Sequence, residues 1–259
     1  MSRQAFVQKE IWKHKSVRIF SCSYAGKKIW VKQAEPVRNV SWLRFARRAC
    51  LFFGLGILQP SADPDGRRAL RFETGRLRRL SARGIRVPEV FAAGDEWLAL
   101  ADCGDNLIDV LGDADLPVQA AQTILSSAAE NLAALHALGI HHGRPALKDM
   151  VWDGQEVTLL DFEDGIIVGL SREKRILRDL LIFMQSIFKE MGNDGPLLAA
   201  GAFAVYARIQ PHYAIRARAY FGRFNLLLLV LQIGLRIQGA IWRVSIRRCT
   251  SFANRVLSE

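Results

Sequence analysis

The stretch from 139 to 165, Gly-Ile-His-His-Gly-Arg-Pro-Ala-Leu-Lys-Asp-Met-Val-Trp-Asp-Gly-Gln-Glu-Val-Thr-Leu-Leu-Asp-Phe-Glu-Asp-Gly, constrains the fold more than any other part of the chain. Met150 to Trp152 and Val157 to Leu160 are short β-forming runs on either side of Asp153-Gly154, a pair that favours a tight hairpin turn. Such a hairpin brings Asp149, just before its first strand, close to Asp161, just after its second. Two carboxylates so placed suit a site for a metal ion and phosphate oxygens; the same pattern also fits a surface hairpin whose carboxylates are merely solvated. Upstream, Pro117 to Leu138 predicts a strong helix, with Pro117 in its first turn, Ile124, Ala128, Leu132 and Leu135 along one face, and Gly139 at its end. That helix delivers the chain straight into the hairpin.

A length of 259 residues accommodates one large domain or two lobes with ample core, and a half-hydrophobic composition with only 8 Pro argues against disorder. The 36 Lys and Arg outnumber the 25 Asp and Glu, a formal net charge of +11 that favours an anionic partner such as nucleic acid, phosphorylated lipid or nucleotide. Cys22, Cys50, Cys103 and Cys249 are scattered, with no CxxC pair and no metal-ligand spacing, and read as reduced structural thiols of a cytoplasmic protein. The first 20 residues carry Lys9, Lys13 and Lys15 but no continuous apolar core, so a secretory signal peptide is not expected.

Residues 16 to 34 predict a hairpin turning at Ala25-Gly26, with Lys32 at the end of its second arm. Lys32 is either an edge-strand solubility charge or an inward lysine that needs an anionic partner. Residues 67 to 83 predict an amphipathic helix ending at Gly84, with Leu70, Glu73, Leu77 and Leu80 at helical spacing. Glu73 lies among the apolar positions and pairs either with a neighbouring arginine or with Lys32. Val90 to Ala93 and Trp97 to Ala101 predict a second hairpin closing at Asp102-Cys103-Gly104, followed by a helical turn at Leu107 to Leu111.

Residues 41 to 59 mix arginines with Trp42, Phe45, Phe52 and Phe53, which suits a membrane interface or a helix packed on its own domain. From Ser171 the chain reads as helix: Arg175 to Met191, Pro196 to Ile209 and Ala214 to Leu257. The uncharged run Phe224 to Leu235 is too short to span a bilayer and reads as a core helix or a tilted interfacial one.

Taken in order, these parts resemble the protein-kinase-like fold, and within it the bacterial lipopolysaccharide kinase families that phosphorylate Kdo or heptose sugars of the inner core. The resemblance covers roughly residues 16 to 190. Lys32 in Trp-Val-Lys resembles the strand lysine that grips the nucleotide phosphates, and Glu73 its helix partner. Asp102, Cys103 and Gly104 resemble the hinge that binds adenine through main-chain groups. His142 to Asp149 resembles the His-Gly-Asp-x-x-x-x-Asn catalytic loop, and Asp161-Phe162-Glu163 the metal-binding Asp-Phe-Glu. Arg144 stands where that family has its catalytic aspartate, Asp149 stands where it has asparagine, and no Gly-x-Gly loop precedes Lys32.

The resemblance implies an α+β, bilobal fold. Residues 1 to 101 would form a small antiparallel β N-lobe with one main helix and a basic-aromatic insertion at about 41 to 66; residues 102 to 259 would form a mostly helical C-lobe with the catalytic-like loop at 140 to 165. It implies ATP and Mg²⁺ as cofactors, with Lys32, Glu73, Asp102, Cys103 and Gly104 at the nucleotide, Asp161 and Asp149 at the metal, and Asp149, Arg144 and His142 in catalysis. The acceptor would be a saccharide or lipid-linked molecule, met in the cytoplasm at the inner membrane, with peripheral contact through 41 to 59 and 224 to 248. Nucleic acid is not the expected partner. The alternative is a catalytically impaired pseudokinase that binds nucleotide, membrane or protein.

Overall fold

The computed structural model describes residues 1–34, 66–162 and 170–219. The basic-aromatic segment 41–59, Glu163 and the segment 224–248 lie outside the described residues. The chain divides into two compact units, one made of Met1–Gly104 with Thr158–Leu170, the other of Asp105–Val157 with Ser171–Glu259. The architecture is α+β, a small antiparallel sheet with a set of helices.

In the first unit, β1 (Ile19–Tyr24) and β2 (Lys27–Gln33) form the expected hairpin. Ala25 and Gly26 turn it at φ 51° and 79°. A two-residue hairpin loop of the right twist needs positive φ at both positions, and glycine supplies it without steric cost. β2 pairs with β4 (Trp97–Ala101), which pairs with β3 (Val90–Ala93), giving the antiparallel order β1-β2-β4-β3.

A helix that the sequence reading did not anticipate, α1 (Arg3–Lys13), packs on this sheet. The Ser2 hydroxyl accepts the Ala5 N–H at 3.3 Å and caps it. Val7, fully buried, joins Phe20, Ile29, Val31, Ala92, Trp97 and Ala99 in one core, with Phe6 and Ile11 packed against it. Phe6, Val7 and Ile11 carried the helical signal, which is weak because the apolar stripe is short and polar residues surround it.

The second helix, α2 (Gly66–Ser81), buries Leu70, Glu73, Leu77 and Leu80, the positions its periodicity marks. Side chains alternate across a strand. Ile29 and Val31 therefore face the α1 core, whereas Trp30 and Lys32 point to the opposite side of the sheet.

The second unit begins with β5 (Asp105–Asn106) and α3 (Leu107–Leu111), whose first turn is capped by the Asn106 side chain accepting the Ile108 N–H at 3.0 Å. The long helix α4 (Val118–Ala137) follows, with Pro117 at its N-cap, one position earlier than the expected first turn. Ile124, Ala128, Leu132 and Leu135 are buried as their spacing requires.

A 3-10 turn at Leu147–Asp149 leads into β6 (Met150–Trp152), which pairs with β5, and then β7 (Val157–Leu159), along which the chain passes back to the first unit. Asp153 closes the turn between β6 and β7 by accepting the N–H groups of Gln155 at 2.9 Å and Glu156 at 2.8 Å. Helices α5 (Arg172–Glu190) and α6 (Gly195–Ile209) complete the unit, α6 packing on both α4 and α5, and residues 211–219 are helical. Among the described residues, no helix is long and apolar enough to cross a membrane.

The core role of α1 predicts that Val7→Ala, which deletes two fully buried methyl groups, lowers the urea unfolding free energy of the full chain by about 1–3 kcal/mol. An unchanged midpoint would mean that α1 contributes nothing to the fold.

Candidate functional site

In the first unit the Lys32 Nζ lies 3.1 Å from Glu73 Oε2 and 3.0 Å from Asp161 Oδ1. Strand alternation aims Lys32 at α2, and helical periodicity aims Glu73 back. Of the two readings of Lys32, the inward one holds, and Glu73 takes Lys32 as a partner. The Glu73 side chain is 1 % exposed, so its carboxylate must be compensated by a cation at contact distance. Asp161 is the more open acid, 27 % exposed. Its backbone sits at φ 59°, a region that few non-glycine residues occupy and that aspartate tolerates better than most. Strain of this kind concentrates at functional positions. Phe162, fully buried beside it, lies under the Arg76 guanidinium at 5.1 Å.

At the end of β4, Asp102 Oδ1 accepts the Trp30 indole N–H at 2.5 Å and pairs with Lys28 Nζ at 3.2 Å. The Asp102 N–H donates to the Lys28 carbonyl at 3.2 Å, and the Cys103 thiol donates to the Ala101 carbonyl at 3.3 Å. Gly104, at φ 119°, is the last residue before the chain enters the second unit.

In the second unit the loop His142 to Asp149 is held from beneath by α5. The N–H groups of His142 and Gly143 donate to the two carboxylate oxygens of Asp179, the second at 3.0 Å. Arg178 donates to the Gly143 carbonyl. Gly143 has φ 115°, a conformation that a side chain at this position would strain. His136 places Nε2 3.2 Å from Asp179 and Nδ1 2.7 Å from the Tyr206 hydroxyl, so one buried chain of polar groups links α6, α4, α5 and the loop.

Burial pushes the Asp179 carboxyl up, but the His136 hydrogen bond and the charges of His136, His142 and His141 outweigh it and hold the group below the usual carboxylate range. The Tyr206 hydroxyl is pushed well up by burial, then by the charge of Asp179 and by Tyr213.

Within the loop, Arg144 Nε is 3.5 Å from Asp149 Oδ2 and Lys148 Nζ is 3.9 Å from Asp149 Oδ1. Asp149 is thus a nearly buried carboxylate flanked by two cations, with Arg144 itself 43 % exposed. His142 is fully buried.

No family model matches the chain. An uncharacterized protein of Haemophilus influenzae is 30% identical over 189 residues, 72% of this chain and 69% of that protein. The chain belongs to the family of that protein. The name of that relative states no activity, and the chemistry rests on the residues above.

The structure brings Lys32, Glu73 and Asp161 together in one unit, and His142, Arg144 and Asp149 in the other. Among the described residues, no group of three or more His, Cys, Asp or Glu is arranged to hold a metal ion. Sequence reasoning missed Asp179, His136, Arg178 and Tyr206. A signal for Asp179 existed: it interrupts the apolar stripe of Ile176, Leu180 and Phe183, and an acid at a buried helical position requires partners.

Asp179→Ala leaves three donors without their acceptor and is expected to destabilise the chain by about 3–5 kcal/mol in chemical denaturation. Because its folded pKa is lowered, Asp179 contributes its ionic stability fully above the ordinary carboxylate value of about 4, and loses it as pH falls through the folded value. The stability gap between wild type and Asp179→Asn should therefore be constant above that pH and shrink below it. A gap that stays constant through acid pH would show that the charge is not what matters.

Proposed function

We propose that the protein is an ATP- and Mg²⁺-dependent phosphotransferase of protein-kinase-like, bilobal fold. Its acceptor would be an alcohol of a lipopolysaccharide-type saccharide or another envelope-linked molecule, met at the cytoplasmic face of the membrane. The observation that carries this reading is the Lys32 ammonium held between Glu73 and Asp161.

A lysine pinned by a buried glutamate is a fixed point charge for the phosphates of a nucleotide, and phosphoryl transfer depends mainly on positioning and on neutralising charge. Carboxylate oxygens are the hard ligands Mg²⁺ takes, and Asp161, the more exposed of the two acids on Lys32, is suited to supply one. Bound Mg²⁺ would neutralise charge on the phosphates. The main-chain groups of Asp102 to Gly104 would meet the base. Asp149 would take the acceptor proton and Arg144 would bind an anionic part of the acceptor, while buried His142 would position the loop.

The Arg144 to Asp149 ion pair favours a second reading. A guanidinium against the carboxylate disfavours its use as a base, as expected of a pseudokinase that binds nucleotide without transferring phosphate.

Thermal melting with and without Mg-ATP, alongside transfer of labelled phosphate to inner-core lipopolysaccharide, separates the two. Ligand at about a hundred times Kd stabilises by about 2.7 kcal/mol, so at about 2–4 °C per kcal/mol for a chain of this size Mg-ATP should raise Tm by about 5–11 °C. Lys32→Ala and Asp161→Ala should each remove that shift. Transfer that Lys32→Ala abolishes supports the phosphotransferase; a shift without transfer supports the pseudokinase. If Mg-ATP leaves the wild-type Tm unchanged and Asp161→Ala changes nothing, both fail.

A further inference from the structure

On α1, Val7 and Ile11 turn toward the sheet core, and the side away from them presents Ala5, Gln8, Lys9 and Trp12, all exposed. Trp12 is 71% exposed. Lys15 lies over its ring at 3.6 Å. From residue 1 to 18 the chain carries Arg3, Lys9, Lys13, Lys15 and Arg18, all exposed, against one acid, Glu10, which is ion-paired to Lys13 at 2.7 Å.

Beside α1 lies a recess of about 710 Å³, whose lining includes Gln8 and Trp12 from α1, Arg67 and Arg71 from α2, and Asp95 and Glu96 from the β3–β4 turn. Those arginines pair with Glu96 and Asp95 at 2.5 and 3.0 Å through exposed side chains. Exposed pairs of this kind are weak, so phosphate groups can compete for both cations.

We propose that the outer face of α1, with the Arg67 and Arg71 side chains beside it, docks on a bilayer of acidic phospholipids. The indole would sit at the headgroup level, and Lys9, Lys13 and Lys15 would reach the lipid phosphates. An indole takes both the apolar and the wet side of that boundary, and lysines lay their stems along it while keeping their charge in water. Single-stranded nucleic acid, the other polyanion with a use for aromatic rings, is bound in grooves that track a backbone past successive stacking rings. A helix face with one tryptophan fits the flat, laterally unlimited surface of a membrane better. The inference uses only the first unit and stands apart from phosphate transfer.

The experiment is co-sedimentation of the full chain with vesicles of phosphatidylcholine alone and of phosphatidylcholine mixed with phosphatidylglycerol. Wild type should pellet with the mixed vesicles only, with the partition falling as salt rises. Trp12→Ala should weaken the partition on the order of tenfold, and Lys9→Gln with Lys15→Gln by about fivefold per lysine. None of these side chains belongs to the core, so melting curves and the Mg-ATP shift should match wild type. Failure of wild type to bind the mixed vesicles overturns the proposal. So does binding that the variants leave intact, which would place the contact on another segment. Tighter, salt-sensitive binding to single-stranded RNA that Trp12→Ala abolishes, without vesicle binding, would assign the face to nucleic acid instead.

Discussion

The Lys32 ammonium between Glu73 and Asp161 is the interaction on which the first unit depends. A carboxylate as buried as that of Glu73 is strongly unfavourable unless a cation reaches it. This requirement ties β2 to α2 and adds the segment that follows β7, which supplies Asp161. It also demands one strand register. A slip of a single residue in β2 would turn Lys32 into the apolar core around Val7 and expose Val31 in its place. The sheet therefore has one face covered by α1, and another on which Lys32 stands beside the buried Leu98 and meets Glu73 of α2.

The second unit meets the same constraint with a different group. Asp179 is fully buried and ionised, and it is stabilised by two main-chain N–H groups and a histidine. In return it holds the backbone of His142 and Gly143 in a conformation that would otherwise relax, and Arg178 secures the Gly143 carbonyl from the next position of the same helix. The loop carrying Arg144 and Asp149 is thereby rigid at its root. Their mutual ion pair opposes simple base chemistry there.

Much of the architecture was legible because it is local. The Ala25-Gly26 and Asp153-Gly154 turns, the apolar faces of α2, α4 and α5, and the two hairpins of the first sheet follow from spacing and turn chemistry within a few residues. Glu73 and Lys32 were legible as anomalies, charges at positions where the pattern calls for apolar side chains. The α1 helix was not, because its buried stripe is short and its polar face dominates. Nor were the partners of Asp179, which come from α4, α6 through His136, and the loop.

Apart from α1 and the two-residue β5, the sequence by itself determined which described segments become strands and helices, where they turn, and that Lys32, Glu73, Asp149 and Asp161 are the residues that require explanation. It left open whether Lys32 faces solvent or an anion, and whether Glu73 pairs within its own helix. Only the tertiary structure decided these, since the partners of Lys32 stand 41 and 129 residues away along the chain. Local spacing sets which face of an element a side chain occupies; what that face meets is set by packing, and buried charges are satisfied only there.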